Sequence, residues 1–259
     1  MSARVSLSVV TAALCAAVVV AAASAGGPGT ALLLPDLEQS PPSQLAVREA
    51  PNGDIRLGFA SAVVNIGAGP LIIEGRRASR REAGMSATQL IRQANGRVLR
   101  RPGVGVLRYT DADTHEHWHL LRFDRYTLRH AGRKAVVAAD RKTGFCLGDR
   151  FEASLGQQLP GEPAQPPFTR NCGLDHPEFL RISEGISVGY GDDYGPYLEG
   201  QYLPLDGLPE GRYDLVHEVN ADRRLLEQRY DNNTSCLRLA ITWPDGTDDP
   251  ARIRRRGRC

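Results

Sequence analysis

The sequence predicts an all-β protein, a β-sandwich core with long loops and little helix, on three observations. Short apolar runs alternate with polar residues, Gly, Pro and Asn punctuate them, and the helical period is hard to find after the first 25 residues. Many short strands at this spacing are the pattern of a sandwich.

Met1 to Ala25 has a basic start at Arg4, a long Ala/Val/Leu run and the small residues Ala23-Ser24-Ala25, so residues 1–25 read as a secretory signal peptide. The competing reading is a retained membrane anchor, since the run is close to spanning length. Leu14 is too large to precede a lipidated cysteine at Cys15. Residues 26–50 form a Pro/Gly-rich N-terminal segment that reads as a tether plus an entry segment, with Leu32 to Leu37 its first ordered contact.

Residues 51–245 then carry the folded domain. Ile55 to Phe59, Ala62 to Ile66 and Leu71 to Glu74 are strand signals. Gln89 to Gln93 and Arg97 to Arg100 flank Asn95-Gly96, a hairpin signal. Leu121 to Leu128 reads as the continuation or partner of a preceding histidine strand, and Phe151 to Phe168 as a long loop. Gly211 to Val219 alternates Tyr213, Leu215, His217 and Val219 against Arg212, Asp214, Val216 and Glu218. Ser235 to Trp243 is a further strand, and residues 246–259 form a basic C-terminal tail. No aromatic residue is interleaved with Arg252 to Arg258, so that run reads as a solvated tail and not as a nucleic-acid surface.

A net charge of +2 over 259 residues gives no global pull toward nucleic acid. With Cys15 leaving in the signal, Cys146, Cys172, Cys236 and Cys259 remain, an even number that implies disulfides in an exported chain. Proximity in the chain favours Cys146 with Cys172 and Cys236 with Cys259.

The densest chemistry lies in Asp113-Thr114-His115-Glu116-His117-Trp118-His119, which holds half of the six histidines. In an extended strand every second side chain shares a face, about 6.5 to 7 Å further along. His115, His117 and His119 therefore line one face, and three imidazoles can lean toward one ion. An all-nitrogen set favours copper, zinc, iron or nickel over calcium or magnesium, and the spacing does not choose among them.

Two further stretches are Arg141 to Asp149 (RKTGFCLGD) and Gly185 to Gly195 (GISVGYGDDYG), which on composition alone are a strand end with a buried cysteine and a flexible loop. With HEHWH, and with LPEGRYDLVHEVN and YDNNTSC later in the chain, they occur in the order and rough spacing of the lysyl oxidase family, and the sequence resembles a bacterial type of that family. The resemblance covers roughly Leu57 to Trp243 and implies a lysyl oxidase-like catalytic β-sandwich. HEHWH resembles the family's copper-binding HxHxH, which makes His115, His117 and His119 ligands of Cu(2+). Lys142 resembles its cofactor lysine and Tyr194 its cofactor tyrosine, so that the two would cross-link to lysine tyrosylquinone. Asp192 matches the aspartate proposed as base, and Cys146 with Cys172 matches one of the family's bridges.

The resemblance further implies a secreted oxidoreductase that converts a primary amine, a small amine or the lysine side chain of a surface protein, to an aldehyde. Molecular oxygen is consumed, and ammonia and hydrogen peroxide are released. No nucleic-acid partner follows, nor any membrane association after signal cleavage. Two other readings compete. A secreted immunoglobulin-like adhesion module with a structural metal has no need of a lysine and a tyrosine at these two places. A non-haem iron or cupin-like oxygenase needs a carboxylate in the histidine set, and alternation puts Asp124 on the opposite face.

Overall fold

The computed structural model describes residues 30–111, 116–140, 144–196, 198, 200–247 and 249–259. In chain order the strands are β1 (Leu32–Leu33), β2 (Leu37–Gln39), β3 (Ser43–Glu49), β4 (Ile55–Asn65), β5 (Leu71–Arg76), β6 (Gly84–Gln93), β7 (Val98–Thr110), β8 (His117–Leu121) and β9 (Asp124–His130). They continue with β10 (Val136–Ala139), β11 (Gly144–Phe145), β12 (Phe151–Glu152), β13 (Arg181–Ile186), β14 (Tyr190–Tyr194), β15 (Tyr202–Pro204), β16 (Gly211–Val219), β17 (Thr234–Thr242) and β18 (Arg252–Arg258). The described residues contain no α-helix, so the chain is all-β as expected.

The strands form three antiparallel sheets. One runs β11-β8-β7-β6-β5-β13 with β1 beside β6, a second runs β10-β9-β16-β17-β18, and a third runs β12-β14-β4-β15 with β2 and β3 also on β4. Their inner faces share one apolar core. Phe59 of β4 meets Tyr126 of β9 edge-on at 4.9 Å between ring centroids, joining the third sheet to the second. Phe145 of β11 meets Phe123 at 5.8 Å, joining the first sheet to the same core. Fully burying one such side chain contributes about 1.5 to 3 kcal/mol, so these few aromatic contacts outweigh any surface ion pair in fixing how the sheets meet.

The alternation that predicts strands also sets their register. In β4, Ile55, Leu57, Phe59, Ser61 and Val63 are all buried at two-residue spacing. The two runs expected there as separate strands are one, because Ala60 and Ser61 keep the period. The hairpin at Asn95-Gly96 forms as expected between β6 and β7, with the Gln93 amide donating to the Arg97 carbonyl at 2.8 Å and Gly96 at φ +82°, a left-handed conformation glycine adopts without penalty.

Four expectations are corrected. Beyond Leu121, the last residue of β8, the stretch to Leu128 neither extends nor pairs with the histidine strand. Arg122 at φ +61° turns the chain out of the first sheet, and β9 pairs instead with β10 and β16. The glycine-rich Gly185 to Gly195 stretch is not a loop; it is the end of β13, a turn and β14. The Pro/Gly-rich entry segment is tied down along β1, β2 and β3, with Leu37 fully buried. Finally, Arg252 to Arg258 pairs with β17 as a strand, and only its arginine side chains are solvated. The Cys236–Cys259 disulfide joins that edge to β17 with the Cα atoms 5.5 Å apart. Cys146–Cys172 is the other bridge, at 5.6 Å, so both expected pairings form.

Candidate active site

Strand β8 carries the two histidines of the HEHWH run that lie among the described residues, His117 and His119. It pairs with β7 so that Thr110 faces His117, Tyr109 faces Trp118 and Arg108 faces His119. Alternation puts Trp118 on one face, fully buried, with its indole N–H donating to the His176 carbonyl at 3.1 Å. His117 and His119 share the other face, their rings edge-on with centroids 4.6 Å apart. His119 is buried, and its Nδ1 lies 2.9 Å from the Thr110 hydroxyl. That contact fixes the orientation of the imidazole.

Tyr194 and Asp192 stand on the same inward face of β14, two residues apart, opposite Ser61 and Val63 of β4. Both are buried. The Tyr194 hydroxyl donates to the Cys146 carbonyl at 2.6 Å and lies 3.1 Å from Oδ2 of Asp192. A phenol has a single proton to give. With that proton on the Cys146 carbonyl, the contact to Asp192 is best satisfied by a protonated carboxyl donating back to the phenolic oxygen. The electrostatics agree, since burial pushes the Asp192 carboxyl up to about 8, against the pull of the Arg150 guanidinium. Arg150 is not close enough to bond it, with Nε 3.6 Å from Oδ1. Burial, reinforced by the neighbouring Asp192 and Glu184 carboxylates, raises the Tyr194 phenol well above its ordinary value.

One short strand connects the two groups. β11 pairs with β8, Gly144 facing Leu121 and Phe145 facing Leu120. A side chain at position 144 would bring its Cβ within 2.9 Å of the His119 Cβ, so glycine lets β11 approach the histidine strand. On its far side the Phe145 ring meets the Tyr194 ring at 89° with centroids 4.8 Å apart. The Cys146–Cys172 bridge fixes the chain just beyond it.

His115 and Lys142 lie outside the described residues, as does the expected signal peptide, residues 1–25. The structure places His117 and His119 on β8 and Asp192 and Tyr194 on β14 of a different sheet, linked by β11, which pairs with β8 and whose Phe145 ring meets Tyr194; Lys142 precedes Gly144 of β11 by two positions. Among the described residues the one set of three metal-donor side chains within 4.8 Å is Asp214, Cys236 and Cys259. It is no metal site, because its sulfurs are in a disulfide and Asp214 is bound by Arg238 at 2.8 Å. No helix among the described residues is long and apolar enough to cross a membrane.

Three residues of the site escaped the sequence reading: Thr110, Arg150 and Glu184. Thr110 becomes visible only through the β7–β8 register. Arg150 directly follows the GFCLGD run and bonds Asn171 at 2.8 Å, but only the tertiary packing brings its guanidinium to 3.6 Å from Asp192 of β14. Other histidines sit elsewhere. His217 is fully buried between the Phe59 and Tyr126 rings, makes no hydrogen bond, and burial lowers it to about 3. His130 and His176 are surface residues.

No family model matches the chain. It is 29% identical over 142 residues to lysyl oxidase homolog 2 of Gallus gallus, a match covering 54% of this chain and 16% of that protein. It is 27% identical over 123 residues to protein-lysine 6-oxidase of Homo sapiens, covering 46% of this chain and 25% of that protein. The chain thus spans no more than a quarter of either relative's length. Over about half of its own length, then, this disulfide-bridged β-protein is similar to lysyl oxidases.

Proposed function

We propose that the chain is a secreted copper-dependent amine oxidase of lysyl oxidase type. It oxidises a primary amine to an aldehyde, with release of ammonia and hydrogen peroxide. The observation that carries this reading is the buried Tyr194–Asp192 contact at 3.1 Å, joined through β11 to a strand bearing His117 and His119 on one face. Similarity to two lysyl oxidases supports it, one of them, protein-lysine 6-oxidase, being named for action on protein lysine.

The residues fit the implied groups. His117 and His119 share a strand face, the set that suits copper coordination, and the Thr110 contact leaves Nε2 as the nitrogen through which His119 would bind. His115 completes the set. When bound, copper supports oxidation of the Tyr194 ring by oxygen, and its cross-link to Lys142, lysine tyrosylquinone, supplies a carbonyl for the amine and a sink for two electrons. The chain itself does the rest. Phe145 and the Cys146 carbonyl hold the Tyr194 ring in one orientation, and the surrounding core excludes water. Asp192 is the base: its deprotonated form takes the α-proton of the amine, and its raised affinity for protons suits it to that task near neutral pH.

The test is peptide mapping of copper-loaded protein for Lys142 joined to Tyr194, with peroxide release from a simple alkylamine measured alongside. Lys142→Ala, Tyr194→Phe and His117→Ala are each expected to abolish release. Undiminished activity in these variants removes the proposal.

A further inference from the structure

Glu74 is the buried centre of a cationic cluster apart from the candidate active site. On β5 it alternates with Ile73 of the core and so belongs to the opposite face of the first sheet, in register with Ser183 of β13 and Thr88 of β6. Its side chain is 1% exposed, and three arginines from three strands meet it. Arg76 of β5 is bidentate, with Nε 2.7 Å from Oε1 and Nη2 3.3 Å from Oε2. Arg100 of β7 reaches Oε1 through Nη2, and Arg181 of β13 reaches Oε2 through Nη2.

The charges in this cluster do not balance. One bidentate guanidinium neutralises a carboxylate, and Arg76 supplies it. Arg100 and Arg181 are then in surplus and leave the cluster with two excess positive charges. Among the described residues, Glu74 is the one carboxylate paired with any of the three. A guanidinium carries five N–H donors, so each arginine keeps donors that Glu74 does not use. Burial alone would raise the Glu74 carboxyl, but its bonds to Arg76 and Arg100 outweigh that and hold it down at about 2. It therefore stays ionised and keeps the guanidiniums gathered. The arginine side chains are 49 to 62% exposed. Arg181 and Ser183 also line a cavity of about 480 Å³, with Arg170 on the same wall. Glu184 lines it too, but burial pushes that carboxyl well above its ordinary value, so it is a neutral acid there and no counter-charge.

We propose that Arg76, Arg100 and Arg181 form a binding site for the phosphate group of a phosphate monoester, with Glu74 as the buried positioning residue that holds the three guanidiniums together. A planar carboxylate is met in full by one guanidinium, as Glu74 is by Arg76. A tetrahedral phosphate presents three free oxygens and can accept from several guanidiniums at once. Near neutral pH a phosphate monoester is close to a dianion, which matches the two surplus charges. The site is independent of the amine-oxidase reading.

The experiment is an NMR titration of full-length protein, isotopically labelled at arginine, with methyl phosphate at about pH 7.5, where the ester is close to doubly charged. Ionic strength is held constant with sodium chloride, so that general screening does not change. The guanidinium signals of Arg76, Arg100 and Arg181 are expected to move together and to saturate. Arg100→Gln and Arg181→Gln each remove one charge and its donors from an exposed position, and each is expected to raise the dissociation constant about tenfold. Methyl sulfate, with a single charge, is expected to bind more weakly than methyl phosphate. Shifts that do not saturate, or a dissociation constant unchanged in either variant, overturn the site and leave the arginines as partners of Glu74 alone. Methyl sulfate binding as tightly as methyl phosphate overturns the assignment to a phosphate ester.

Discussion

The Thr110 hydroxyl lies 2.9 Å from Nδ1 of His119, on the strand next to it. This contact decides which imidazole nitrogen faces a metal, and groups that orient a ligand from behind contribute about 10- to 100-fold in metal affinity. We predict that Thr110→Val weakens copper binding by about that factor, measured by competition with a chromophoric chelator. An unchanged dissociation constant would mean that the hydroxyl plays no part in holding the ring.

A second prediction concerns Asp192 and pH. Its carboxyl is raised from 3.8 to about 8 in the fold, so between those values the unfolded chain loses a proton that the native protein keeps. Stability therefore falls as pH rises across that window, by on the order of 1.4 kcal/mol per unit from this group at most. Asp192→Asn is expected to flatten the slope in urea unfolding between pH 5 and about 8. An identical slope in the variant refutes the assignment.

His217 has the opposite sign. Burial lowers it from 6.5 to about 3, so as pH drops through that range the unfolded chain binds a proton that the native chain refuses, and stability is lost. His217→Phe also removes two ring nitrogens that make no hydrogen bond. The variant is expected to be more stable than the parent by about 1 to 3 kcal/mol at pH 5, and by less at pH 8. Equal or lower stability at pH 5 counts against this account.

Glu227 holds the entry strand in place. It is buried, its Oε2 accepts from the Leu37 amide at 2.8 Å, and its Oε1 accepts from Asn220 at 2.6 Å and Asn233 at 2.9 Å. Glu227→Ala leaves three buried donors without their acceptor, at a cost of about 3 kcal/mol or more. Amide exchange of β2 should then accelerate more than that of β16 or β17. Uniform acceleration would mean that Glu227 only supports the fold as a whole.

Alternation in the sequence was enough for the all-β class, for the faces of β4, β16 and β17, and for the hairpin at Asn95-Gly96, because these depend on neighbours one or two residues away. Cysteine order gave both bridges, since each closes a separation of under 30 residues. The spacing of His117 and His119 put them on one face for the same local reason. Tertiary structure alone decided which strands lie together. It placed β9 in a sheet apart from β8, turned the basic end into an edge strand, and set Thr110 behind His119. Those relationships join residues distant in the chain through close packing of sheets, and no local period records which distant residue fills the facing position.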